Sequence, residues 1–169
     1  MGVTLAELLA GRDQRRNKQQ QLIDTYQLTV VCLTIVMPGS EKRNETSLYV
    51  AKVAHEYLLH ALENYIRYTE FNDALTGPEG FYVVDLPAIE AKRLTTEIED
   101  NHPMGRLFDI DVLQSNLVPV MREEVGKESR KCLVCGEKSV DCIRNKKHSL
   151  DEVMSKINAI VENYKQKMS

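Results

Sequence analysis

Asp109 and Asp111 stand one residue apart in the run His102-Pro103-Met104-Gly105-Arg106-Leu107-Phe108-Asp109-Ile110-Asp111-Val112. The second half of this run alternates, with Phe108, Ile110 and Val112 on one side and Leu107, Asp109 and Asp111 on the other. Such a period of two predicts a half-buried strand. Residues two apart on a strand point the same way, roughly 6–7 Å from each other at about 3.3 Å rise per residue. Two like charges held there repel, so a cation is their natural guest. Hard carboxylate oxygens suit Mg²⁺ carrying a nucleotide polyphosphate. The same spacing also fits the solvated face of an edge strand, and the pattern alone leaves both readings open.

Three further groups could carry chemistry. Arg12, Arg15 and Gln19 are spaced three and four apart and share one face of a predicted helix. Arginine forks on one face suit phosphate or carboxylate, although a solvated charged face has the same pattern. Pro38-Gly39 with Lys42 follows a predicted buried strand, where backbone N–H groups and one ammonium could meet a phosphate. It lacks the spaced glycines of a Walker A loop, and an ordinary turn is the competing reading. Cys132-x2-Cys135-x6-Cys142-x5-His148 has the ligand types and compactness for tetrahedral Zn²⁺. Reduced, partly buried thiols or a redox Cys-x-x-Cys are the alternatives. His55, His60 and Cys32 read as structural.

Elements must position these groups. Thr4-x-x-Glu7 is a capping box for a short helix ending near Gly11, and a second helix is predicted over 12–26. Leu28 to Val36 reads as a buried strand, 45–70 as the longest helix, and Gly77-Pro78-Glu79-Gly80 as a turn. A strand over 81–86, a helix over 88–100 and the Asp-bearing strand follow. A hairpin partner is predicted at 118–125, and a closing helix begins at the Ser149-x-x-Glu152 box. The expectation is one α+β domain over 1–169, with a mixed sheet and flanking helices and the Cys-rich segment 127–148 before the last helix.

Composition narrows the function classes. A chain of 169 residues with net charge −3 is sized for one domain and offers no global basic field for nucleic acid. The first residues lack the charge and apolar run of a secretory signal, and no segment is apolar enough to span a bilayer. Four cysteines, three of them clustered, predict a reducing cytoplasmic setting rather than a disulfide framework. Between Lys127 and Lys147 the cations outnumber the acids, which predicts an acidic partner or polyanionic ligand.

Taken together, these segments resemble the holo-citrate lyase synthase family, the apo-citrate lyase phosphoribosyl-dephospho-CoA transferases. The resemblance runs from about Leu8 through the last helix. Its carriers are Arg12-Asp13-Gln14-Arg15 with Gln19, Pro38-Gly39 with Lys42, Gly77-Pro78-Glu79-Gly80, Lys92, Glu97-Ile98-Glu99, the His102–Val112 run, and Arg130-Lys131-Cys132-Leu133-Val134-Cys135 with Cys142, Arg144 and His148. Ser40 and Lys131 depart from the family pattern, which has Pro and a second Arg there.

The resemblance implies a nucleotidyltransferase-type enzyme. It would join 2′-(5″-triphosphoribosyl)-3′-dephospho-CoA to a serine of the citrate lyase acyl carrier (gamma) subunit and release pyrophosphate. Asp109 and Asp111 would hold Mg²⁺, with His102 and Arg106 beside them as catalytic candidates. Arg12, Arg15, Gln19, Pro38, Gly39, Lys42, Lys92, Gly105, Arg130 and Arg144 would bind substrate. Cys132, Cys135, Cys142 and His148 would hold a structural Zn²⁺. The paired-Asp strand is also similar to that of polymerase-β-like nucleotidyltransferases, which carry a third carboxylate that the sequence does not place. A non-catalytic, zinc-stabilised module binding an acidic carrier domain is the alternative from another class.

Overall fold

The computed structural model describes residues 2–169. Thr4 accepts the Glu7 N–H and Glu7 returns a bond to the Thr4 N–H, so the first capping box forms as expected. The helix it opens, α1 (Leu5–Tyr26), does not break at Gly11. Gly11 instead lets the helix press on Thr76, where a Cβ would lie 2.7 Å from the threonine Oγ1. The two short helices predicted here are therefore one, with glycine serving a close approach rather than a stop.

Next come β1 (Thr29–Ile35) and α2 (Glu45–Ala61), the latter opened by an Asn44–Ser47 capping box. The helix predicted to reach residue 70 ends nine residues early. Ile66, Tyr68, Thr69 and Phe71 are strand formers, and they pair into β2 (Ile66–Ala74) against β3 (Gly77–Val84). The turn expected at Gly77–Gly80 moves to Leu75-Thr76, and Glu79 becomes a strand residue. The chain continues through α3 (Ala88–Asn101), a single 3-10 turn at 105–107, β4 (Phe108–Leu113), α4 (Ser139–Arg144) and α5 (Leu150–Met168). Leu107 belongs to that turn and is fully buried, not on the polar face of the strand. The hairpin partner expected at 118–125 reduces to one bridge, Leu113 to Pro119, and a short 3-10 turn. Pro119 has no N–H to extend a ladder.

The sheet order is β2-β3-β1-β4, and every pairing is antiparallel. The expected mixed sheet is thereby corrected. With β1-α2-β2-β3-α3-β4 as its path, this is the split βαβ arrangement, in which both crossovers return their helices to one face. That face carries Val31, Leu33, Tyr82, Phe108 and Ile110 against α2, α3 and α5, with Ile157 and Val161 of α5 buried. On the opposite face Leu22 and Ile23 of α1 cover Val30, Cys32, Phe81, Val83 and Leu113. Among the described residues no helix is long and apolar enough to cross a membrane.

Candidate active site

The two faces of the sheet divide the candidate residues. On β4, Phe108, Ile110 and Val112 are buried while Asp109 and Asp111 are accessible, so the alternation holds from Phe108 onward. Register places Asp111 beside Cys32 and Asp109 beside Thr34, whose hydroxyl donates to Asp109 Oδ2 at 3.4 Å. Gly80 pairs with Leu33, so Glu79 falls on the other side of Thr34. Cross-strand neighbours share a face. Glu79, Thr34 and Asp109 thus form one polar row, with Asp111 in the next row beside buried Cys32. Helix α1 packs Leu22 and Ile23 over the apolar end of this face, while Asp109 and Asp111 stay accessible to water.

The polar turns of α1 supply the cations. Arg15 Nε donates to Glu79 Oε2 at 2.9 Å, and Gln19 is nearly buried against Cys32. Lys92 of α3 reaches the same strand from its free edge, donating to the Ile110 carbonyl at 3.3 Å. Asp111 is accessible to water, yet the surrounding protein crowds its carboxyl. Burial pushes its carboxyl up, the Asp109 charge pushes it further, and Lys92 and Arg15 oppose both. A divalent cation would relieve that repulsion. Lys42 donates to the Met37 carbonyl at 2.6 Å; burial and then the neighbouring Arg12 charge lower its pKa. Two cations pressed together at the mouth of the site favour an anion there. Gly39 has a left-handed φ of 77° and packs its α-carbon under Leu150 of α5, so Pro38-Gly39 shapes the loop that carries Lys42.

Other candidates lie beyond the β4 edge. His102 accepts the Met104 N–H on Nδ1 and packs against Tyr57, Phe108 and Tyr164, with burial lowering its pKa. Phe108 points to the face opposite Asp109, so the structure gives His102 a place in the loop rather than beside the carboxylates. Gly105 has no room for a side chain, since a Cβ would sit 2.2 Å from the Glu99 carbonyl oxygen. Arg130 spends its guanidinium on Glu99 and on the carbonyls of Phe108, Gly105 and Arg106. Arg106 donates to the Lys131 carbonyl, and Arg144 lies exposed on α4. Glu79 and Thr34 are the site residues that sequence reading missed. Glu79 was hidden because a Gly-Pro-Glu-Gly string reads as a turn.

The Cys segment folds into a compact cluster. One ligand atom from each of Cys132, Cys135, Cys142 and His148 lies within 4.8 Å of the others. Val134 N–H points at Cys132 Sγ, and Cys135 and Cys142 sulfurs are 3.5 Å apart. His148 Nε2 is buried and has no hydrogen-bond partner among the described residues, while Nδ1 lies 3.9 Å from Glu152 Oε2. An orphaned ring nitrogen beside three thiols, steadied from behind by a carboxylate, is what a Cys₃His metal site requires.

Comparison with known proteins places the chain among relatives of one family. A family model described as apo-citrate lyase phosphoribosyl-dephospho-CoA transferase (CitX) matches residues 3–164. Apo-citrate lyase phosphoribosyl-dephospho-CoA transferase of Citrobacter koseri is 31% identical over 162 residues, which cover 94% of this chain and 88% of that protein. The protein of the same name from Escherichia coli O7:K1 is 32% identical over the same shares. Protein CitXG of Haemophilus influenzae is 34% identical over 96% of this chain but only 36% of its own length, so this chain spans about a third of it. The chain belongs to the CitX family of apo-citrate lyase phosphoribosyl-dephospho-CoA transferases.

Proposed function

We propose that this protein transfers the 2′-(5″-phosphoribosyl)-3′-dephospho-CoA group from its triphosphate precursor to a serine of the citrate lyase acyl carrier subunit. The serine hydroxyl oxygen attacks the phosphorus nearest the ribose and gives up its proton to solvent, a P–O ester bond forms, the bond to the next phosphate breaks, and pyrophosphate leaves. The observation that carries this reading is the open Asp109–Asp111 pair with Thr34 and Glu79 in line and Arg15 and Lys92 around it. Asp109 and Asp111 would hold Mg²⁺, which when bound neutralises charge on the departing pyrophosphate. Arg12 and Lys42 would meet the outer phosphates, and Arg15, paired with Glu79, would hold that carboxylate in the row.

Incubation of the protein with apo-carrier, precursor and Mg²⁺ should shift the intact mass of the carrier by one prosthetic group. A carrier that binds but never gains mass would instead support the non-catalytic module. The Cys₃His cluster fits a structural zinc, and the protein as purified should carry about one equivalent. Chelation should lower the melting temperature and expose the 127–148 segment to protease. Metal-free protein with unchanged melting would leave plain thiols.

Carrier docking is the remaining part of the reading. Lys127 pairs with Glu97 and Asp100, and Lys147 with Glu137. Arg15 is turned inward to Glu79, so Arg12 and Arg16 with Lys131, Lys138, Arg144 and Lys146 remain as the accessible basic rim. An acidic carrier steered by this rim should associate more slowly as salt is raised, over a Debye length of about 8–10 Å. Reversing charge at Arg16 and Arg144 should raise the carrier KM while leaving turnover at saturation largely unchanged. Indifference to both salt and charge reversal would mean docking by apolar contacts.

A further inference from the structure

Beyond the free edge of β4, a cleft of about 650 Å³ opens between α3, the 105–107 turn and the 122–131 segment. None of the carboxylate-face residues lines it. Its cations fall into two kinds. Arg122 is held by Glu99 and Asp100, Arg130 by Glu99 and three carbonyls, and Lys127 by Glu97 and Asp100. Arg106 has no carboxylate partner among the described residues. Its acceptor is the Lys131 carbonyl, at 2.8 Å from Nε and also met by Nη2. The Lys131 side chain is exposed at the same rim.

A half-buried guanidinium with no ion pair of its own, beside two further guanidiniums that share Glu99, is an unfavourable arrangement for the empty protein. Burial and then the Arg130 charge bring Arg106 down to about 10, far below its ordinary range. A bound anion removes that penalty, and the planar fork of arginine matches phosphate oxygens.

The geometry points to this cleft as a second anion site, separate from the Asp109–Asp111 face, that takes the unreactive diphosphate bridge of the dephospho-CoA moiety. This rests on the transfer reading above. The precursor there carries two polyanionic groups, the triphosphate that reacts and the diphosphate that does not. A carboxylate pair holding a metal serves the first. The second needs cations without a reacting centre, which is what Arg106 and Lys131 offer. Distance is compatible: Arg106 and Asp109 are three residues apart, at most about 11 Å of chain, and two linked pentose rings separate the two phosphate groups by a similar span. Binding energy taken from this remote group would position the reacting phosphorus.

The test uses dephospho-CoA, which has the diphosphate and no triphosphate, titrated into the full-length protein without Mg²⁺. Arg106→Gln should weaken its binding about ten- to hundredfold, the loss of a charged hydrogen-bond pair. Arg106→Lys should recover part of it. Lys131→Glu, at an exposed position, should weaken it without changing the melting temperature. Pantetheine should bind no differently to any of these variants, and Asp109→Asn should bind dephospho-CoA as the unaltered protein does. In transfer assays Arg106→Gln should raise the precursor KM more than it lowers kcat. If dephospho-CoA binds the Arg106→Gln and Lys131→Glu variants as well as the parent, the proposal is overturned. It is overturned equally if these variants raise the carrier KM alone, which would make the cleft a carrier contact. Transfer activity in a parent protein that does not bind dephospho-CoA would sink this site and leave the transferase standing. Arg106-dependent binding without any transfer would do the reverse.

Discussion

Asp109→Asn and Asp111→Asn should each reduce carrier loading by a hundredfold or more, about 3 kcal/mol or above at roughly 1.4 kcal/mol per decade. Each substitution removes one of two oxygen donors that must act together, so the double variant should be little worse than either single one. The two differ in what they do to the free protein. Asp111 has its carboxyl raised by burial and by Asp109. A carboxyl raised in the folded state holds a proton that the unfolded chain has already lost. Stability therefore falls as pH rises from the ordinary carboxylate range through the raised value, and at neutral pH the Asp111 charge opposes folding. Asp111→Asn should melt higher than the parent at neutral pH, with the difference vanishing in acid. Added Mg²⁺ should raise the melting temperature of the parent and not of the variant. Loading by the parent should also decline as pH drops through the raised value. Near-parental loading by both folded variants would remove the carboxylates from the chemistry. A lower melting temperature for Asp111→Asn would show that the pair is not in repulsion.

Such a gain in stability on removing a site residue follows from how the fold was encoded. Strand β4 was legible because burial on one face forces a period of two, and Phe108, Ile110 and Val112 obey it. Helix α5 was legible from its capping box, which is a local signal. The errors came where tertiary contact outvoted local signals. Gly11 sits inside a helix because Thr76 presses there, and no sequence window around Gly11 contains Thr76. Glu79 joins the site through its strand register, which a Gly-Pro-Glu-Gly string disguises as a turn. Likewise, Arg15, Gln19 and Lys42 are named from residue type and spacing and Lys92 from the family resemblance, and the fold brings all four to the Asp-bearing strand or its neighbours. His102 and Arg106 neighbour the carboxylates in sequence, yet the edge of β4 separates them in space.

Glu99→Ala should destabilise the protein by about 3–5 kcal/mol, the cost of breaking a buried ion network from one side. The edge strand β4 has backbone groups with no strand to pair them, and α3 supplies side chains in place of a strand. Lys92 donates to the Ile110 carbonyl and Glu99 Oε2 accepts the Ile110 N–H at 3.2 Å. Glu99, only 3% exposed, also takes Arg130 Nη1 at 3.3 Å and Arg122 Nη1 at 3.0 Å. Burial pushes its carboxyl up, opposed first by Arg130 and then by Lys92, the Ile110 N–H and Arg122. Truncation orphans one N–H and leaves Arg122, Arg130 and Lys92 without their shared counter-charge. It also frees Arg130, which ties the segment leading into Cys132 to the carbonyls before β4. Glu99→Gln keeps an acceptor for Ile110 and should cost less than the alanine variant. Arg130→Met should loosen the Cys segment, and the Glu99→Ala and Arg130→Met effects should fall short of additive, because they break the same bond. Urea unfolding of the parent, the three single variants and the Glu99→Ala/Arg130→Met double variant measures all of this. A loss below about 1 kcal/mol for Glu99→Ala, or strict additivity with Arg130→Met, would mean that α3 holds the β4 edge by apolar packing and not by this carboxylate.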